Sequence, residues 1–280
     1  MLLKNRKQFI LIALVLASCA PKAFLINQPG ITSIYFERKI KKLETNNDNT
    51  LDKKREIVKT KIEYGFGVIM EEADRLIEDD YYLATERYEK ANKIFKEARE
   101  NGLDIIINRY PNFIDWLRNK TDIIFNKNDI VDLYWLAAAY GGAISSSRAN
   151  PFELIHLPYV GKMLNKCISL DAEWNEGALY SAKMSFTSSR SDLSEEVFRD
   201  SLDYYFDKTV SLSDGMNAGP YITYAESVHK LFQEKKEFLD KLNYVMEIDV
   251  IPNSKYELSN LIAKSRAKWL LTKTDEYFIE

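Results

Sequence analysis

Apolar positions recur at helical spacing along most of this 280-residue chain. Tyr88, Ala91, Phe95 and Ala98 stand 3, 4 and 3 residues apart, with Glu86, Arg87, Glu89, Lys90, Lys96 and Glu97 off the stripe. That pattern predicts an amphipathic helix. Leu157, Val160, Leu164 and Cys167 form a second stripe, and Phe198, Leu202, Tyr205 and Phe206 a third. Leu231, Phe238, Leu242 and Val245 follow as a fourth, and Leu258, Ile262 and Trp269 as a fifth. Asn101-Gly102 reads as a C-cap pair, and Asn150-Pro151 as an N-cap followed by proline at the first helical position. Pro158 begins a further helix in the same way, and Asp192 with Glu195 has capping-box spacing. No stretch alternates with the period of a strand. The predicted fold is all-α, with roughly ten helices joined by short loops.

The helices also show a repeat plan. A tetratricopeptide unit is a helix pair of about 34 residues with small and aromatic signature positions. Residues 80–101 resemble its second helix, and 133–171 resemble a pair closed by Ser169-Leu170-Asp171. Residues 174–214 repeat the plan, opening with Gly177 and Ala178 and ending at Ser211-Leu212-Ser213-Asp214. The reading is a tetratricopeptide-like helix-pair superhelix over 56–280, with a non-repetitive helical bundle as the alternative. Stacked pairs curve, and the concave face suits a ligand or partner.

The N-terminus carries a different signal. Lys4, Arg6 and Lys7 precede the apolar run Phe9 to Ala17, which is short for a bilayer span. It ends in Leu16-Ala17-Ser18-Cys19. Small residues fit a peptidase groove, and the cysteine supplies a thiolate for a diacylglycerol. The pattern resembles a bacterial lipobox, so residues 1–18 read as a lipoprotein signal peptide and Cys19 as the lipid attachment site. Residues 19–55, with the polar run Leu43 to Thr50, read as a lipidated N-terminus and flexible tether, of which Ile31 to Phe36 can dock on the body. Cys167 then has no partner for an internal disulfide and reads as a small buried hydrophobe.

Composition narrows the function. The formal net charge is −3, and nothing resembles the basic footprint of a nucleic-acid binder. His156 and His229, the two histidines, lack zinc-ligand spacing. No serine sits in a nucleophile elbow, and Gly141-Gly142 before Ser145-Ser146-Ser147 lacks the lysine and glycine spacing of a phosphate loop. Asp74, Glu78, Asp79 and Asp80 read as a solvated helix end. Catalysis, cofactors and metals are therefore not expected.

One segment is unusual: Tyr134-Trp135-Leu136-Ala137-Ala138-Ala139-Tyr140-Gly141-Gly142-Ala143-Ile144-Ser145. Its small residues serve either close helix packing or an apolar tunnel flanked by the aromatics. For the tunnel, the candidate lining residues are Trp135, Ala139, Tyr140 and Ile144, joined by Ala178 and Tyr180, with Ala139 as the narrow point.

Together with the lipobox, this segment resembles the T component of tripartite ATP-independent periplasmic (TRAP) transporters, a tetratricopeptide family. Leu157-Pro158-Tyr159-Val160, Trp174-Asn175-Glu176-Gly177-Ala178 and Tyr224-Ala225-Glu226 are similar to further family blocks. So is the C-terminal set Leu258, Asn260, Ala263, Arg266, Ala267, Trp269, Leu270 and Leu271. The blocks keep family order over about 65–278. Tyr140 departs from the tryptophan usual in the family, and Ser145 to Ser147 are more polar than usual. The resemblance implies a periplasm-facing lipoprotein of the bacterial envelope that forms a homotrimer. It also implies an apolar pore for a hydrophobic small molecule in each protomer, and docking to a substrate-binding P subunit. The family carries no catalytic residues. A structural tetratricopeptide scaffold for envelope assembly is the alternative function.

Overall fold

The structure is a computed structural model that describes residues 29–46 and 48–279. Among the described residues there is no strand. Residues 1–18, expected to be a signal peptide, and Cys19, the expected lipid attachment site, lie outside them. None of the described helices is long and apolar enough to cross a membrane.

The chain opens with α1 (Pro29–Thr45) and α2 (Leu51–Tyr64). A π-helical turn, Gly65–Met70, carries α2 into α3 (Glu71–Leu76). The boundary expected at residue 55 therefore falls inside α2, and most of the expected tether is helix. Phe36 and Ile40 of α1 are buried, and Phe36 stacks on Tyr64 at 5.3 Å. Arg55 of α2 reaches Asp132 through two 2.8 Å hydrogen bonds. These few buried contacts are what the polar sequence around them concealed.

α4 (Tyr81–Ile107) is N-capped by Asp80, whose carboxylate accepts from the Leu83 amide. It runs straight through Asn101-Gly102, so that pair does not end it. Gly102 lies where α6 (Ile130–Ser146) crosses, and a Cβ there would stand 3.1 Å from Leu136 Cδ1. Between them lies α5 (Phe113–Leu117). The short α7 (Pro151–Leu154) starts as predicted, with the Asn150 side chain accepting from the Phe152 amide. Proline also stands in the first turn of α8 (Leu157–Leu170).

α9 (Ala178–Ser188) follows Gly177, whose φ of +90° disfavours a side chain and where a Cβ would stand 3.0 Å from Thr209 Cα. α10 (Glu195–Leu212) is capped by Ser194, not by Asp192, which pairs with Arg190 instead. Then come α11 (Gly219–Tyr224) with a π turn at Ala225–His229, α12 (Lys235–Glu247), α13 (Glu257–Thr272) and α14 (Thr274–Tyr277). Leu231 precedes α12 and is exposed, so the fourth stripe begins at Phe238.

The predicted pairs are present: α6 packs on α8, and α9 on α10. Three large apolar clusters divide the core. One joins α1, α2 and α4 to one side of α6, one joins α5 and α8 to its other side, and one fills the C-terminal half. Helices pack in a cycle: α2 on α6, α6 on α9, α9 on α11, α11 on α13. Side chains then return from α13 to the first segment. A Cβ on Gly67 would stand 2.9 Å from Ile262 Cδ1, and Arg75 hydrogen-bonds Ser265 at 3.1 Å. The last pair of helices thus meets the first.

Candidate functional site

α6 is apolar nearly all round, and the packing gives its faces different tasks. Leu133, Leu136, Ala137, Tyr140 and Ile144 face the α5–α8 cluster. Ala139 and Ala143 face α2 and α4, where Phe95 is fully buried. A Cβ on Gly142 would lie 2.3 Å from Cδ1 of the Phe95 ring, and one on Gly65 2.5 Å from Cζ of the same ring. Phe95 is thus held between two glycines. A Cβ on Gly141 would meet nothing within 4 Å. The partly open stripe of α6 is therefore Tyr134, Trp135, Ala138, Gly141 and Ser145.

The six candidate lining residues do not converge. Trp135 is half-buried on the open stripe, its ring 5.2 Å from that of Tyr134, which lies 5.1 Å from Trp174. Burial pushes the Tyr134 phenol up to about 12, with Cys167 and Glu63 adding to it. Ala139 is fully buried in the helix contact beside Phe95. Tyr140 is buried on the far side, under Arg99 at 5.1 Å and beside His156 at 5.5 Å. Ile144 shares that cluster. Tyr180 packs toward α10, 6.3 Å from Tyr205, and Ala178 is half-buried at the start of α9. Cys167 is buried as read, and burial pushes its thiol up to about 12, so it is no nucleophile.

The junction of α3 with α13 is built from charge. Arg266 donates to both carboxylate oxygens of Glu226, at 2.7 and 2.9 Å, and to Glu71 and Asp74 at 2.9 Å each. Its side chain is 17 % exposed. Burial alone would lower its pKa, but the surrounding carboxylates raise it well above the ordinary value. Burial pushes the Glu71 carboxyl up in spite of Arg266 and Arg75. Tyr88 donates to the other oxygen of Asp74 at 2.6 Å, and Lys273 reaches Glu78 at 3.1 Å. The acidic run read as a solvated helix end is therefore half committed to this seam. An arginine inside the small, apolar pattern of α13 was the available signal for it.

A separate groove of about 1010 Å³ runs between α5, α7, α8 and α9, over Trp116, Leu157, Pro158 and Phe186. None of the six candidates lines it. Among the described residues no cluster of histidine, cysteine or carboxylate could hold a metal ion.

Comparison with known proteins identifies the family. A protein of Treponema pallidum (strain Nichols) described as uncharacterized is 21 % identical over 234 residues, covering 78 % of this chain and 70 % of its own. The family model for the TRAP transporter T-component matches residues 45–278, almost the whole described body. The chain therefore belongs to the TRAP transporter T-component family, an accessory component of a transporter.

Proposed function

We propose that this TRAP accessory protein docks a substrate-binding P subunit and offers a hydrophobic ligand an apolar passage through its helical body. The single observation that carries the reading is the closed cycle α2–α6–α9–α11–α13, sealed by Arg266 against Glu71 and Asp74. A closed cycle has an inner side, and the open stripe of α6 supplies a wall of aromatic and small residues. In this reading Trp135, Ala138 and Gly141 line the route, while Ala139, Tyr140 and Ile144 hold α6 in place. The chain is anchored through acylated Cys19 to a bacterial envelope membrane, faces the periplasm and acts as a homotrimer. Two or more acyl chains hold such a protein firmly where one does not. Cys19→Ser releases it into the soluble envelope fraction, since a hydroxyl cannot replace the thiolate.

Binding of a fluorescent fatty acid tests the passage. Gly141→Trp projects a large ring into the open side of α6 and abolishes binding with little change in melting temperature. Ala139→Trp overpacks the Phe95 contact, where such strain costs about 1–3 kcal/mol or more. Wild-type binding by a folded Gly141→Trp protein refutes the passage and leaves the scaffold reading. Recovery of the P subunit in a pull-down with the full chain tests the docking.

A further inference from the structure

The groove between α5, α7, α8 and α9 is cationic in an acidic protein. Lys162, Lys166, Lys183 and Arg190 line it against Asp122 and Asp192, whereas the whole chain carries a formal charge of −3. Asp192 is spent on Arg190, accepting at 2.9 and 2.5 Å. Lys183 and Lys162 are in a different state. Lys183 is 7 % exposed, and its ammonium lies 4.8 Å from the Phe186 ring centre and 5.6 Å from that of Tyr205. It makes one hydrogen bond, to Asn165 Oδ1 at 3.0 Å. An ammonium has three donors. Lys162 donates to the Trp116 carbonyl and to Asn119 Oδ1 at 2.6 Å, over the Trp116 ring at 4.5 Å. Among the described residues neither lysine has a carboxylate within ion-pair distance, and burial pushes the pKa of each down. Lys183 is thus a buried cation without a counter-charge, which is costly unless a partner brings one, while Lys162 stands half-exposed beside it in the groove.

The groove's rim decides what kind of partner. Leu154, which belongs to the wall, has two exposed apolar neighbours in the chain: Phe152 of α7, 80 % exposed, and Ile155 directly after α7, 65 % exposed. Large apolar side chains standing beside a cationic trough fit a polypeptide better than a small anion, which would leave them uncovered. We propose that this groove docks an extended segment of a partner protein in which aspartates or glutamates alternate with apolar residues. Carboxylates meet Lys183 and Lys162, and apolar side chains lie on Trp116, Phe186 and the α7 rim. This surface is separate from the inner side of the cycle, so the proposal stands or falls independently of the passage.

The test is fluorescence anisotropy with the full chain and a fluorescein-labelled glutamate–leucine peptide, against a lysine–leucine peptide of equal length. The acidic peptide binds saturably and more weakly as salt rises, and the basic one does not bind. Lys183→Met keeps the aliphatic stem on Phe186 and Tyr205 and weakens binding about thirtyfold or more, the loss typical when one partner of a buried charge pair is removed. Lys162→Gln, at a half-exposed position that leaves the core intact, weakens it as well. A melting curve run on each variant shows that the fold is kept. Absent or salt-insensitive binding by wild type overturns the proposal, and so does binding by folded Lys162→Gln equal to wild type. Citrate competing as tightly as the peptide also overturns it, since the site then serves a small organic anion.

Discussion

Two adjacent glycines allow a direct measurement of how α6 is packed. Alanine at either position gains roughly 0.8–1.0 kcal/mol of helix propensity over glycine. At Gly141 nothing opposes that gain, because an added Cβ has no neighbour within 4 Å. Gly141→Ala should therefore stabilise the protein by nearly the full amount. At Gly142 the same methyl lands 2.3 Å from Phe95. The ring has little room to retreat, since it lies so close to Gly65 that a Cβ there would stand 2.5 Å from its Cζ, and the Phe66 ring centre is 4.5 Å away. Overpacking of this kind costs about 1–3 kcal/mol, so Gly142→Ala should be neutral to destabilising by about 2 kcal/mol. The two variants share composition, helix and solvent, so their difference isolates the Phe95 contact. Thermal melts followed by far-UV circular dichroism read it, at about 2–4 °C per kcal/mol for a large domain. Equal melting temperatures for the two variants would falsify the assignment of one glycine to an open face and the other to a helix contact.

Other consequences are as direct. Arg266→Met leaves Glu71, Asp74 and Glu226 without their shared cation. A loss of about 3–5 kcal/mol is expected, with faster amide hydrogen exchange in α3 and α13 but not in α6 and α8; unchanged exchange in α13 refutes the seam. Asp132 is 2 % exposed and pairs with Arg55 and Arg109. Asp132→Ala should cost the lower end of about 3–5 kcal/mol, because both arginines still reach water, and urea unfolding measures it. Burial and the Arg99 charge push His156 below its ordinary value of 6.5. The unfolded chain then takes the proton first, so stability falls as pH drops below about 6.5. His156→Gln should flatten that slope in urea titrations at a series of pH values.

The helices were legible in the sequence because each buries one side, and burial at helical period leaves a stripe. Phe95, Ala98, Leu164, Leu202 and Leu242 are all inside. Errors fell where a local sign had a distant cause. Asn101-Gly102 looks like a helix end, but Gly102 is small because Leu136 crosses it. α1 looks like a tether because only Phe36, Ile40 and a few neighbours hold it among lysines. The small residues of α6 were recognised as close packing or a tunnel wall, yet which alanine or glycine faces which way depends on Phe95, far off in the chain. The lysines of the groove are not legible in the sequence, because a charged residue in an amphipathic helix ordinarily reads as solvent-facing. Only the structure shows Lys183 covered by Phe186 and Tyr205.

The seam at Arg266 limits how this protein can change. An open stack of helix pairs can gain or lose a unit, since each unit leans only on its neighbours. Here Arg266 and Glu71, 195 residues apart, must end face to face. One extra pair would move α13 past α3 and leave Glu71 and Asp74 without Arg266, so the number of pairs is locked. The same separation sets an order of assembly. Local pairs close cheaply, whereas a contact across nearly the whole chain carries the largest loop-closure entropy. The seam therefore forms last, and a variant that breaks it should show its lost stability mainly as faster unfolding.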